Sequence, residues 1–229
     1  MVTEQNLSAI ALDNVTAYRL VNSKFPPIAL FDEVANAEDF EIIYELQALT
    51  NPRLAAQAGN LALIEKEEIP FGIRGCSYAT AAFTHVNQNG GRFNTPNFGV
   101  FYAASNVQTA LDEVKYHQQK YFQGVPEMKY ERLVFRVLQC QFSSVKCSDI
   151  TGYGFDHAYY HPTDYSESQA YAMMLKLKGF DGVQYDSVRN QGGICWGLFT
   201  PRIISDVIQT QHYEMVYNGK FISSVSPIG

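Results

Sequence analysis

Hydrophobic residues recur along this chain in more strand-like runs than helix-like ones. Runs rich in β-branched and aromatic residues, typical of strands, occupy residues 16–21, 61–64, 98–105, 130–142, 180–187 and 194–199. Apolar residues with helical spacing occupy residues 37–49, 107–122 and 166–179. The two kinds do not alternate regularly, so the pattern predicts an α+β fold, a single domain with a mostly antiparallel sheet flanked by helices.

Polar residues at the ends of two segments predict where helices begin. Asn106 is a suitable N-cap for the helix 107–122. Ser166 is followed by Gln169 at the spacing of a capping box. The apolar stripes expected to face the core are Val107, Ala110, Leu111 and Val114 in the first helix and Ala170, Met173, Met174 and Leu177 in the second.

Charge and cysteine content narrow the possible classes of protein. The chain has 229 residues, a formal net charge of −6 and no run of Lys and Arg, so we expect no direct contact with nucleic acid. Its four cysteines form no C-x-x-C pair, and we expect no metal site. The opening sequence MVTEQNLSAIALDNVT has no long apolar stretch, so we expect neither a signal peptide nor a membrane anchor, and a cytoplasmic location.

Three residues around the strand 98–105 have side chains that suit nucleotide chemistry. Arg92 lies in a glycine-containing loop before the strand, where a guanidinium can bind a phosphate. Tyr102 can stack on a base or a nicotinamide ring with its hydroxyl free to form a hydrogen bond. Glu113, at the flank of the next helix's apolar face, can stabilise a ribosyl cation as a glycosidic bond breaks. Each residue alone is more commonly a surface or core residue, and the three together do not by themselves establish a site.

The order and spacing of these residues resemble the RES-domain family, named for an Arg, a Glu and a Ser. The motifs in family order are YRL at Arg19, GRFN at Arg92, VFYAAS at Tyr102, TALDE at Glu113 and YDSVRNQGG at Ser187. The resemblance extends over about residues 17–202 of a single domain, 1–229, with a helical and loop insertion at about 25–80. The longer sequence between YRL and GRFN is similar to the branch found with ParS-type antitoxins.

The resemblance implies a fold similar to that of ADP-ribosyltransferases, with a split antiparallel sheet and an NAD-binding cleft. It implies the toxin of a RES–Xre toxin–antitoxin system, with NAD as substrate and no metal. Such toxins hydrolyse or phosphorolyse NAD, or transfer its ADP-ribose to a protein acceptor, with phosphoribosyl pyrophosphate synthetase as a target. The expected partner is a cognate Xre or ParS-type antitoxin that blocks the cleft.

Carried over position by position, the resemblance also implies roles for the residues of the motifs. Arg19 and Arg92 would bind the phosphates or ribose of NAD, and Tyr102 would pack on the nicotinamide end. Glu113 would stabilise the ribosyl cation, and Ser187 would orient the nicotinamide ribose.

Two asparagines complete the expected NAD-binding set. Asn94 follows GRF, where family members often carry a small hydroxyl residue, and Asn190 lies beside the paired glycines. From the residues alone, Ser187 could equally close a turn through its hydroxyl.

Two other classes of protein remain open at this point. A Cys–His hydrolase would use Cys195, although this cysteine lies in a strand-like run that favours an inert thiol. Its histidine partner would be one of three residues: His85, His117 or His161. An inactive binding module with the RES fold would be expected to lack the Arg, Glu or Ser of the family, and all three are present.

Overall fold

The computed structural model describes residues 7–25, 30–32, 34, 36–49 and 58–229. Within them seven strands form one sheet with the order β1-β2-β5-β4-β3-β6-β7. All neighbouring pairs are antiparallel except β3 with β4, which confirms the mostly antiparallel sheet predicted from the sequence. The strands are β1 (Ala9–Asn22), β2 (Phe101–Ala104), β3 (Glu131–Asp149), β4 (Gly182–Asp186), β5 (Ile194–Leu198), β6 (Ile204–Tyr217) and β7 (Ile222–Ile228).

The two longest pairings connect the halves of the sheet through β3. One edge of β3 pairs with β1, and the other edge pairs first with β6 and then, at its C-terminal end, with β4. β1 also meets β2, at the pair Tyr18 and Ala104. Hydrogen bonding therefore closes a ring of β1, β2, β5, β4 and β3, from which β6 and β7 extend.

Helices cover both faces of this sheet and enclose two apolar cores. The α-helices described in full are α1 (Ala37–Ala48), α2 (Cys76–Thr84), α3 (Val107–Gln123) and α4 (Ser166–Leu177). α3 and α4 bury Leu111 and Leu175 in one core, and α1 and α2 bury Phe40 and Phe83 in the other. Successive β3 residues, Val137 and Leu138, belong to different cores because side chains alternate across a strand.

α3 begins and packs as the sequence predicts. The side chain of Asn106 accepts a hydrogen bond from the backbone N–H of Thr109 at 2.8 Å. Ala110 and Leu111 are buried, and the other residues of the predicted stripe pack against the same core. The helix therefore presents a defined side to the sheet, and this orientation fixes the position of Glu113.

Two predictions about α4 are wrong. Its N-cap is Tyr165 rather than Ser166, and the amide of Gln169 donates instead to the carbonyl oxygen of Gly91 at 2.9 Å. The buried face consists of Ser168, Tyr171, Ala172 and Leu175. Of the predicted stripe, Met174 packs against the core, whereas Leu177 is 83% exposed. The helix is rotated because Ser168 and Gln169 bond the loop before β2, a contact that apolar periodicity does not reveal.

Two elements between residues 58 and 84 differ from what the hydrophobic pattern predicts. Residues 61–64 are not a strand, since Leu61–Leu63 forms a 3₁₀ helix capped by Asn60. The pattern did not locate α2, because seven of its nine residues are buried and it therefore lacks an amphipathic period. The expected insertion at 25–80 includes residues outside the described ranges, and its boundaries stay a prediction. No helix in the described ranges has the length and apolar character needed to cross a membrane.

Candidate active site

A cleft of about 280 Å³ lies between the sheet and α3, beside the residue pair that joins β1 to β2. Four residues predicted for the site line it: Arg19, Arg92, Tyr102 and Glu113. They come from β1, the loop before β2, β2 and α3. The fold thus brings together side chains separated by up to ninety-four positions, counted from Arg19 to Glu113.

Arg19 bridges β1 and β2 at the cleft. Its Nη1 donates to the carbonyl oxygen of Tyr102 at 2.9 Å, and its guanidinium carbon lies 4.9 Å from the centroid of the Phe101 ring. Burial lowers the pKa of Arg19 below its usual value, but a guanidinium stays protonated in proteins. Arg19 therefore supplies a permanent positive charge to the cleft wall.

α3 carries Glu113 into the cleft, where its carboxylate meets Ser187. The Ser187 hydroxyl donates to Oε1 of Glu113 at 2.6 Å, the short distance typical of a hydrogen bond to a charged acceptor. Oε2 has no hydrogen-bond donor among the residues that the structure describes. The carboxylate is therefore held by one oxygen and available to a ligand through the other.

Ser187 has no hydrogen-bonding capacity left for a ligand. Besides donating to Glu113, its oxygen accepts the backbone N–H groups of Arg189 at 3.2 Å and Asn190 at 3.0 Å. A hydroxyl has one donor and two acceptor sites, and all three are used. Ser187 is 1% exposed. It closes a turn, as the residues alone allowed, and its hydroxyl orients the carboxylate of Glu113, a role that the sequence did not predict. Its expected role of orienting the nicotinamide ribose stays a prediction, and the hydroxyl has no free site for a direct bond to the ribose.

The loop between β3 and α4 holds Arg92. Its Nη1 donates to the carbonyl oxygens of Tyr159 at 2.8 Å and His161 at 3.0 Å. The guanidinium carbon lies 4.8 Å from the centroid of the Tyr165 ring. Nε and Nη2 have no acceptor within the described ranges, so the outward side of the guanidinium remains free for an anion.

The hydroxyl of Tyr102 is not free, contrary to the sequence-based expectation. It donates to Oδ1 of Asn94 at 2.9 Å and accepts the backbone N–H of Phe93 at 2.8 Å. The Asn94 amide donates to the carbonyl oxygens of Thr95 and Phe98, and Asn94 is 5% exposed. Tyr102 thus lines the cleft with its ring, while Asn94 lies behind it and holds the loop instead of facing a ligand.

Asn190 also has a local partner. Its amide donates to the Thr109 hydroxyl at 2.8 Å, and Thr109 in turn donates to the N-cap side chain of Asn106. The loop after β4 is thereby attached to the first turn of α3, the helix that carries Glu113. Neither asparagine lines the cleft.

The environment of Cys195 disfavours a Cys–His hydrolase. The cysteine lines the cleft floor but is 2% exposed, and burial raises the pKa of its thiol to about 12. A thiol with so high a pKa is almost entirely protonated at neutral pH and is a poor nucleophile. His161 is committed to a turn, where its Nδ1 accepts the N–H of Asp164 at 2.7 Å.

The cleft wall also contains residues that sequence reasoning did not select, among them Tyr18, Gln118 and Tyr185. Tyr185 had a usable signal, since it precedes Ser187 by two positions and residues two apart in a strand share a face. Its ring packs against Phe93, with ring centroids 4.8 Å apart.

Comparison with known proteins assigns the family. A family model described as the RES domain matches residues 69–218. The chain belongs to the RES-domain family. The matched segment contains all of the cleft residues from Arg92 onward, whereas Arg19 lies before it.

Two individual proteins resemble this RES-domain chain. The uncharacterized protein y4oC of Sinorhizobium fredii is 28% identical over 207 residues, which cover 90% of this chain and 84% of that protein. A solved structure, the MbcT–MbcA toxin–antitoxin complex of M. tuberculosis, aligns with a TM-score of 0.47 and 12% identity. This alignment covers 90% of this chain and 86% of that chain.

Proposed function

We propose that this protein is the toxin of a bacterial toxin–antitoxin system and cleaves the bond between nicotinamide and ribose in NAD. Membership of the RES family supports the class of protein. The observation that carries the chemistry is the 2.6 Å hydrogen bond from Ser187 to Glu113 at a cleft lined also by Arg19 and Arg92.

Glu113 would act on the charge that develops during cleavage. Nicotinamide leaves with the bonding electrons as a neutral molecule, and positive charge builds on the ribose. A carboxylate already in place stabilises this charge without reorganising, in the way that carboxylates assist glycoside hydrolysis. Water, phosphate or a protein nucleophile then bonds to the ribose carbon and, where it carries a proton, releases it.

The dimensions of the cleft suit one end of NAD. A volume of about 280 Å³ is near the lower limit for ligand pockets and fits the nicotinamide ribose, with the remainder of NAD over the open side. The ring of Tyr102 would pack on the nicotinamide, and the guanidiniums of Arg19 and Arg92 would bind the anionic portion. Ser187 would act through Glu113, as a positioning residue, rather than by touching NAD.

The biological setting follows from the family resemblance. We propose a cognate Xre or ParS-type antitoxin as the partner that covers the cleft, and a cytoplasmic site of action. If the ribosyl cation is captured by a protein, phosphoribosyl pyrophosphate synthetase is the proposed acceptor.

Nicotinamide release by purified protein tests the central proposal. Glu113→Gln should lower the rate by about 100- to 1,000-fold, since it removes the charge that faces the transition state. Asp112→Asn is the matched control, because Asp112 is the neighbouring carboxylate on α3 and accepts instead from Gln108 at 3.0 Å. Equal rates for the Glu113→Gln variant and the wild type, with both folded, would refute the proposed chemistry.

Three arms of the same experiment distinguish the acceptors. ADP-ribose as the product in phosphate-free buffer indicates hydrolysis, and a phosphorylated ADP-ribose formed only with added phosphate indicates phosphorolysis. NAD labelled in its adenylate portion, incubated with a cell extract, would yield a labelled protein band if ADP-ribose is transferred.

A further inference from the structure

We propose that Arg189 forms, together with Arg92, a clamp for the pyrophosphate of a dinucleotide substrate. This inference deepens the proposed function and rests on it, and it concerns Arg189, which lies within the motif YDSVRNQGG but has no role assigned above and does not line the cleft. Four features of the structure support it.

The same short loop holds both guanidiniums. Arg92 donates to the carbonyl oxygens of Tyr159 and His161, and Nη2 of Arg189 donates to the carbonyl oxygen of Pro162 at 3.2 Å. These acceptors span four consecutive positions of the loop before α4. Arg92 and Arg189, ninety-seven positions apart in the sequence, are therefore anchored to the same loop.

An aromatic ring orients each guanidinium. The guanidinium carbon of Arg189 lies 3.3 Å from the centroid of the Tyr116 ring, and that of Arg92 lies 4.8 Å from the centroid of the Tyr165 ring. A guanidinium held against a ring keeps its donors in a defined plane and loses less freedom on binding an anion. Nε and Nη1 of Arg189 have no acceptor within the described ranges, which leaves two donors for a phosphate oxygen.

Arg189 lies beside the reaction centre proposed above. Its backbone N–H donates to the Ser187 hydroxyl, which in turn donates to Glu113. Tyr116, which carries the Arg189 guanidinium, is one helical turn after Glu113 on α3. In NAD the pyrophosphate is attached to the ribose whose glycosidic bond is broken, so a phosphate site must lie about one ribose away from the carboxylate.

The pKa of a third side chain indicates that Arg92 and Arg189 lie in one region. His117 lines the cleft, and its pKa is lowered to about 4 by desolvation first and then by the charges of Arg189 and Arg92. Two positive charges close enough to affect one imidazole form a local cationic site on a chain whose net charge is −6. Such a site attracts a dianionic bridge such as pyrophosphate far better than a neutral nucleoside.

The affinities for ADP and for adenosine, measured by calorimetry, test this proposal independently of catalysis, because neither molecule contains the bond between nicotinamide and ribose. Arg189→Gln should weaken ADP binding by about 10- to 100-fold, the range for loss of charge-assisted hydrogen bonds, and leave adenosine binding unchanged. The affinity of the Arg189→Lys variant for ADP should lie between those of the wild type and Arg189→Gln, since lysine keeps the charge and lacks the planar guanidinium. Arg132→Gln is the matched control, because Arg132 pairs with Glu214 on β3 and β6 outside the cleft.

Each outcome decides the proposal. An unchanged affinity for ADP in a folded Arg189→Gln variant, or no ADP binding by the wild type, would overturn the clamp whatever the protein does to NAD. Conversely, absence of NAD cleavage by the wild type with the expected ADP results would overturn the proposed reaction and retain the clamp. If NAD is cleaved, the KM for NAD should rise in Arg189→Gln while kcat changes little.

Discussion

At the scale of single residues, the Ser187 hydroxyl connects the carboxylate of Glu113 to the loop that carries Arg189. Its proton is directed to Oε1, and its lone pairs accept two backbone N–H groups of the loop. Burial keeps water from replacing any of these bonds. Ser187 therefore both stabilises the loop and positions Glu113, and a substitution should affect stability and catalysis.

Ser187→Ala should lower kcat for nicotinamide release by about 10- to 100-fold with a smaller change in KM, because Glu113 loses the bond that orients it. The free energy of unfolding should fall by about 1–3 kcal/mol, since two buried N–H groups lose their acceptor. Steady-state kinetics and urea denaturation measure the two effects.

Ser148→Ala serves as the control for that experiment. Ser148 is equally buried and shares a 2.7 Å hydrogen bond with the hydroxyl of Tyr171 away from the cleft. The Ser148→Ala variant should have a lower free energy of unfolding than the wild type and an unchanged kcat. Equal kcat values for the two serine variants would show that Ser187 does not position Glu113.

At the scale of elements, the loop before β2 is shaped by what surrounds it. Gly90 has a φ of +67°, and a Cβ there would lie 2.3 Å from the carbonyl oxygen of Asn94. On its other side, α4 bonds the loop through Ser168 and Gln169. The loop therefore has one conformation available, and that conformation presents Arg92 to the cleft.

Gly90→Ala should disturb this loop and raise the KM for NAD severalfold, because the carbonyl of Asn94 must move and Arg92 moves with it. Gly152→Ala is the matched control, since Gly152 has a φ of +79° but a Cβ there meets nothing within 4 Å. Both variants should lose about 1–2 kcal/mol from the left-handed backbone, and Gly90→Ala about 1–3 kcal/mol more from the clash. Equal destabilisation and unchanged KM in both, measured by urea denaturation and kinetics, would contradict this view of the loop.

At the scale of the whole molecule, an acidic protein gathers several cations around one cleft. Arg19 and Arg92 line the cleft, and Arg189 is held by the same loop as Arg92, although the chain carries a net charge of −6. His117 also lines the cleft, and desolvation first and then the charges of Arg189 and Arg92 lower its pKa to about 4, so the imidazole is neutral at physiological pH. Its pKa is lower in the folded state than in the unfolded chain.

This difference predicts how acid affects stability. Between pH 6.5 and about 4 the unfolded chain binds a proton at His117 that the folded protein does not, so the free energy of unfolding falls as the pH drops through this window. His117→Gln should therefore lose less stability than the wild type between pH 7 and pH 4.5. Urea midpoints at the two pH values measure this, and identical losses would show that the two pKa values do not differ.

Much of the fold could be predicted because its signals are local. The N-cap of Asn106 and the stripe of α3 involve neighbouring residues, and both formed as predicted. The rotation of α4 could not be predicted, because it depends on hydrogen bonds to the loop before β2. The position of α2 could not be predicted either, because this helix is buried on nearly all sides. Local periodicity contains no information about either.

For the site, the sequence by itself determined which chemical groups are present and on which elements they lie. Arg92, Tyr102 and Glu113 were identified from their residue types and Arg19 from the resemblance to the RES family, and all four line one cleft. Only the tertiary structure decided how each side chain is used. It paired Glu113 with Ser187 across seventy-four positions, bonded the hydroxyl of Tyr102 to Asn94, and anchored Arg189 to the same loop as Arg92. The physical reason is that side chains and elements follow from short-range preferences, whereas hydrogen-bond partners and burial depend on segments that meet only when the sheet closes.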